Sequence, residues 1–114
     1  MRSDRERLLD IREAIARIER YSQGGRLGVE GNELVLDAIL RHLQIIGEAV
    51  RALSSEFKNR YAQVPWTKIV GMRHVLVHNY FDIDEKVVGE VVEHDLPDLK
   101  ANVDAILDEL GPEP

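Results

Sequence analysis

Residues 32–53 constrain the fold more than any other stretch of this chain. Apolar side chains stand at Leu34, Val35, Leu36, Ala38, Ile39, Leu40, Leu43, Ile45, Ile46, Ala49, Val50 and Leu53. They recur at the helical spacing of three and four residues, yet they cover more than one face. A helix that is apolar on most sides has to be buried on most sides. In a chain of 114 residues, that predicts a helix from about Asn32 to Leu53 at the centre of a bundle, or one that also faces a second subunit.

The flanking sequence supplies the rest of the bundle. Ser3 and Glu6 form a capping-box pattern ahead of a helix over about Asp4 to Tyr21, with Leu8, Ile11, Ile15 and Ile18 on one face. Gly24-Gly25 is a natural stop, and residues 24–31 read as a loop. A short polar segment, about one helical turn, begins at Ser54-Ser55-Glu56-Phe57. Pro65 suits the first position of a third helix, where its missing amide costs nothing. That helix is expected to reach about Asn79 and to turn Trp66, Ile69, Met72 and Leu76 inward. Asp82 and Glu85 repeat the capping pattern ahead of Val87, Val88, Val91 and Val92. Pro97 is expected to break the ladder, and a last helix then carries Leu96, Leu99, Val103, Ile106 and Leu110 to a stop at Gly111-Pro112. The fold class is therefore all-α: an antiparallel bundle of roughly four to five helices, read as a single domain over 1–114.

Composition removes whole classes of function. With no cysteine, disulfides, thiolate metal sites and cysteine nucleophiles are excluded. No apolar stretch approaches the roughly 18–20 residues that cross a bilayer. The start of the chain reads as an amphipathic helix and not as a signal peptide, so the expected location is the cytoplasm, away from membranes. The net charge of −6 argues against a surface that coats nucleic acid. Contact with nucleic acid has to be local and cationic, or shared with a partner.

The residues that could carry chemistry cluster in Arg73-His74-Val75-Leu76-Val77-His78-Asn79-Tyr80. An Arg followed five residues later by a His occurs about once by chance in a chain of this composition, so the spacing alone says little. The residue types say more. Cleaving RNA through its own 2′-hydroxyl needs a base for that proton and an acid for the 5′-oxygen leaving group, and histidine does both near neutral pH. Charge building on the phosphoryl oxygens is clamped by a guanidinium. The chemistry requires no cofactor and no metal. Five residues on a helix are roughly 500°, so Arg73 and His78 stand about 140° apart with about 7.5 Å of rise. Two routes bring both to one point: a departure from ideal helix near His78, or a symmetric dimer whose shared cleft holds two Arg and two His.

Each of these residues also has a plainer reading. His74 and His78, at i and i+4, have the spacing of metal ligands, with Asp82 or Asp84 as a third, but no further cluster supports such a site. Tyr80 could pack at a helix end. Glu48 and Arg41 read as solvated or ion-paired groups, His42 and His94 as surface or structural. Gly71 reads as a site of close helix packing.

The stretch Pro65-Trp66-x2-Ile69-x-Gly71-Met72-Arg73-x4-His78-x-Tyr80, with Ile46-Gly47-Glu48-Ala49 upstream and Asp84 and Leu96-Pro97-x-Leu99 downstream, resembles the HEPN family, and within it the HepT-like toxins. The resemblance runs from the first helix to the last. It implies a helical bundle, a homodimer with its cleft at the interface, and endoribonuclease toxin activity. It implies Arg73 and His78 as the catalytic pair, with His74 and Asn79 in support. Tyr80 resembles the tyrosine that a cognate MNT-type nucleotidyltransferase antitoxin modifies with AMP. An anionic group two residues from His78 would block the cleft and oppose phosphate. One departure is visible: related sequences often carry Trp where Val87-Val88 stand. Two other classes of function remain open at this point. One is a HEPN-like module that binds RNA or a nucleotidyltransferase without cutting, which the acidic net charge fits. The other is a purely structural bundle.

Overall fold

A computed structural model describes residues 2–22, 32–78 and 84–112, and the backbone alone over 73–78. Among the described residues the chain is helical and contains no strand. The elements are α1 (Asp4–Ser22), α2 (Glu33–Ala52), α3 (Ser55–Arg60), α4 (Trp66–His78), α5 (Glu85–Glu90), a π-helical turn (Val91–Asp95) and α6 (Leu96–Leu110). The all-α bundle expected from the periodicity is the fold observed. No described helix is long and apolar enough to cross a membrane.

Local chemistry sets the helix starts. The capping box at α1 is formed as the sequence predicts. Glu6 N–H donates to Ser3 Oγ at 3.1 Å, and Ser3 N–H donates to Glu6 Oε1 at 3.1 Å. Asn32 caps α2 by accepting from Val35 N–H, and Ser54 caps α3 by accepting from Phe57 N–H. Asp4 then ties α1 to that second cap, accepting from Ser54 N–H at 2.9 Å and from Ser54 Oγ at 2.7 Å. At the far end Gly111 adopts a φ of 72° and donates its N–H to Leu107 O, which closes α6.

α2 lies at the centre, packed against α1 on one side and α4 on another, while α6 also packs on α1. Leu8, Ile11, Ile15 and Ile18 of α1 meet Ile39, Leu43, Ile46 and Val50 of α2 with none of their surface left to solvent. Each such side chain contributes about 1.5–3 kcal/mol relative to an exposed one. The surface pairs between α1 and α6, Arg12–Asp104 and Lys100–Glu19, are half exposed and contribute roughly 0–1 kcal/mol each. Burial therefore holds the bundle, and the ion pairs trim it. α2 is less enclosed than its composition suggests. Leu34 and Ile45 lie on a solvent face with Asp37, Arg41 and Glu48.

Three expectations need correction. Pro97 does not divide the C-terminal region. Helical backbone continues from Glu85 to Leu110, and the turn at Val91–Asp95 widens so that Leu96 N–H donates to Val91 O, five residues back. The widened turn absorbs the proline's missing donor and ring without ending the helix. The described cap at the start of α5 is Asp84, whose Oδ1 accepts from Lys86 N–H at 2.8 Å, where the sequence suggested Asp82. Pro65 sits just ahead of α4, its carbonyl accepting from Ile69 N–H. The predicted stop at Gly24-Gly25 and the 24–31 loop lie outside the described residues, as does Asp82.

Candidate functional site

α4 carries the Arg73–His78 segment, and its first half is firmly seated. Trp66 is buried, and its Nε1 donates to Tyr61 O at 3.0 Å. Its ring packs near Phe57, which in turn stacks at a tilt against Tyr61. Ile69 is buried one turn later, and Val70 and Met72 pack against the core in part. The three rings around the α3–α4 connection thus give α4 a fixed base. The phenolic oxygen of Tyr61 is buried without a hydrogen-bond partner among the described residues, so this anchor combines ring packing with the Trp66 Nε1–Tyr61 O hydrogen bond.

The backbone is regular α-helix from Trp66 through His78. Of the two routes that could bring Arg73 and His78 to one point, a break in the helix between them is therefore not taken. The two positions stand about 140° apart around the axis and about 7.5 Å apart along it. Helical phase sorts them further. Arg73 is four residues after Ile69 and seven after Trp66, in line with the buried stripe. His74 and His78 continue a stripe that begins at Thr67 and Gly71, both exposed. The helix thus gives His74 and His78 a common face and sets Arg73 apart from it. Asn79 and Tyr80 lie outside the described residues.

Gly71 departs from its expected role. It is exposed, and a Cβ built on it would meet nothing within 4 Å, so no described residue packs closely there. A glycine in mid-helix costs about 1 kcal/mol relative to alanine, and neither positive φ nor packing against a described residue calls for it.

Gly71 borders an apolar groove of about 430 Å³ between α4 and the α5–α6 region. Leu43 of α2, Ile69, Met72, Val88 and Leu99 contribute to its walls, and Lys68, Asp95 and Asp98 line it as well. Val87 stands in this groove at 57% exposure. No sequence signal marked the groove, because its walls come from separate segments: Leu43, residues 65–72 and residues 87–102.

The remaining polar candidates have ordinary surroundings. His42 is buried, donates from Nδ1 to Ala38 O at 2.8 Å and meets Tyr21 edge-on, so it is structural. His94 is exposed beside Glu93. Among the described residues no three metal-ligating side chains converge.

The family described as HepT-like ribonuclease matches residues 11–106, a span that contains Arg73, His74, His78, Asn79 and Tyr80. A Thermococcus cleftensis protein named "Probable ribonuclease HepT" is 33% identical over 110 residues, covering 92% of this chain and 96% of its own length. A protein of Caldanaerobacter subterraneus subsp. tengcongensis, named as a putative RNase, is 38% identical over 85 residues, covering 70% of this chain and 76% of its own. A Methanocaldococcus jannaschii protein, also named as a putative RNase, is 37% identical over 75 residues, covering 66% of this chain and 69% of its own. No solved structure matches the chain.

Proposed function

The chain belongs to the HepT-like ribonuclease family, and from that premise we propose that it is a metal-independent endoribonuclease, the toxin of a type II pair with an MNT-type nucleotidyltransferase. The observation that carries this reading is the unbroken helix that leads from the buried Trp66 to His78 and bears both Arg73 and His78 inside the family-matched span. In the proposed reaction a histidine base takes the proton of the 2′-hydroxyl. The 2′-oxygen bonds to phosphorus, the bond from phosphorus to the 5′-oxygen breaks, and an imidazolium protonates that leaving oxygen. The products are a 2′,3′-cyclic phosphate and a free 5′-hydroxyl. Arg73 holds the phosphoryl oxygens as charge builds on them, and His74 and Asn79 support the pair.

Two copies form the site. Arg73 and His78 are about 140° apart on a continuous helix, so one copy does not aim both at a single phosphate, whereas a two-fold pair of helices offers two of each to a shared cleft. Silencing acts at Tyr80: the nucleotidyltransferase moves AMP from ATP to the phenolic oxygen, the oxygen bonding to the α-phosphorus as pyrophosphate leaves and the phenolic proton is lost, and this places a bulky anion two residues from His78, which repels the RNA phosphate and fills the cleft.

The test uses the chain purified without a partner, in EDTA, with mixed RNA, beside His78→Ala and Arg73→Ala. Cleavage by the parent and by neither variant, leaving cyclic phosphate ends, is the expected outcome. Equal cleavage by the parent and both variants refutes the assignment. If nothing cleaves, an intact mass separates two cases: added AMP units mean that the toxin arrived silenced, and an unmodified mass favours a binding relative that does not cut.

A further inference from the structure

We propose that the open cleft between α3 and the start of α4 holds a backbone phosphate of the RNA strand, a few nucleotides from the bond that is cut, with Lys58 and Lys68 supplying the charge. The inference rests on the ribonuclease reading and adds a place where the strand is held apart from the reacting bond. The sequence already marks the region. Residues 57–81 contain four of the 15 Lys and Arg and none of the 21 Asp and Glu, a stretch of +4 in a chain of −6. Folding gathers part of that charge at a cleft of about 510 Å³, whose described lining includes Ser55, Lys58, Asn59, Thr67 and Lys68 and no carboxylate. Arg60, on the same stretch, is already engaged by Glu109 at 3.3 Å and by the Tyr61 ring. The two lysines are paired with no described carboxylate. Lys58 Nζ donates to Arg51 O at 3.3 Å, which leaves ammonium donors to spare, and Lys68 is exposed.

The chemistry of the lining selects the occupant. Hydroxyl, amide and ammonium groups suit phosphate and sugar oxygens, and such contacts position a strand without reading its bases. No ring is offered for stacking, because Trp66, the aromatic side chain in the lining, is buried and packs near Phe57. Lys68 also borders the apolar groove, where Asp95 and Asp98 stand. Those carboxylates repel phosphate and keep the strand on the α3 side. Helical phase sets the path to the catalytic segment. Thr67 is exposed in the cleft, and positions 71, 74 and 78 follow it on one face of α4. From Thr67 to His78 is about 16 Å along the axis, at about 1.5 Å per residue. At roughly 3.4 Å per stacked nucleotide that is about five nucleotides, and fewer for an extended strand. An acidic chain thus holds RNA through one cationic strip and keeps its acidic faces out of contact.

The experiment is titration of a labelled single-stranded RNA, about 12 nucleotides long, whose 2′-oxygens carry methyl groups and so cannot attack phosphorus. Binding is read by fluorescence anisotropy between about 50 and 200 mM salt. The full chain is compared with Lys68→Gln, with Lys58→Gln plus Lys68→Gln, and with Lys86→Gln plus Lys100→Gln, which loses the same charge outside the cleft. Lys68 is exposed, so its single variant should fold whatever the double variant does. Each phosphate contact on a single strand contributes about 0.7 to the slope of log affinity against log salt. That slope should fall by about 0.7 in Lys68→Gln and by about 1.4 in the cleft pair, whose Kd should rise about tenfold. The Lys86 and Lys100 variant should match the parent. Equal losses in the two double variants overturn the cleft, because net charge alone then decides. Parental affinity and slope in both cleft variants also overturn it, as they would if the lysines met an acidic protein instead, and the ribonuclease reading then stands or falls on its own cleavage assay. A parent that does not bind the strand overturns the inference, with cleavage of unmodified RNA still deciding the activity. Selective loss in the cleft variants of a chain that cuts no RNA supports the cleft and removes the proposed activity.

Discussion

If Arg73 and His78 cannot converge from one helix, two inactive chains should repair each other. On α4 the two positions are five steps apart, about 140° around the axis and about 7.5 Å along it. A composite site then takes Arg73 from one copy and His78 from the other. A heterodimer of Arg73→Ala and His78→Ala chains concentrates both defects in one of its two sites and leaves the other complete. Isolated with two affinity tags, it should retain about one half of the parental rate, and a random mixture about one quarter, since about half the dimers are then mixed. The homodimeric variants should sit at background. The assay is initial-rate cleavage of a labelled RNA at equal dimer concentration, with the mass of each species checked beforehand. A tagged heterodimer as inactive as its parents would mean that each copy supplies both groups. The angular argument would then be wrong, and the backbone near His78 would have to rearrange on binding RNA.

Further outcomes follow from the fold. Asp4→Ala removes both acceptors that hold Ser54, and a double-mutant cycle with Ser54→Ala should show about 1 kcal/mol of coupling, read by urea unfolding; strict additivity would mean that the tie between α1 and α3 does not form in solution. Gly111→Ala forces a side chain onto a φ of 72° and should cost about 1 kcal/mol, lowering Tm by about 4 °C, with an unchanged Tm counting against the described end of α6. Glu6 has its pKa held below 4.5, first by the backbone hydrogen bond from Ser3 and then by the Ser3 hydroxyl. Its charged form is therefore favoured in the folded chain, and its contribution is present above pH 4.5 and lost as pH falls through the lowered folded value. A Tm gap between the parent and Glu6→Gln at neutral pH should accordingly close in acid, and a gap that persists there would assign the effect to something other than the Glu6 charge.

Much of this molecule is written in features that need only near neighbours. The Ser3–Glu6 box, the face of Leu8, Ile11, Ile15 and Ile18 and the stop at Gly111 each depend on a few residues along one helix, so periodicity and capping rules reach them. The residue types at Arg73 and His78, and their spacing, are equally a property of the sequence, and they are what singled out the chemistry. Tertiary structure decided the rest. Pro97 looks like a break because the rule considers one helix in isolation, yet Val91, Val92, Leu96 and Leu99 are all buried, and keeping them on the core costs less with one widened turn than with a new helix start. Val87 has the same side chain as Val88 and the opposite fate, exposed where its neighbour is sealed, because α4 leaves a groove on one side of α5. Gly71 reads in sequence as a residue made for contact, and only the packed bundle reveals that no described residue comes close to it. A helix determines its own faces through its period, but what stands opposite each face depends on distances between segments that no local pattern encodes.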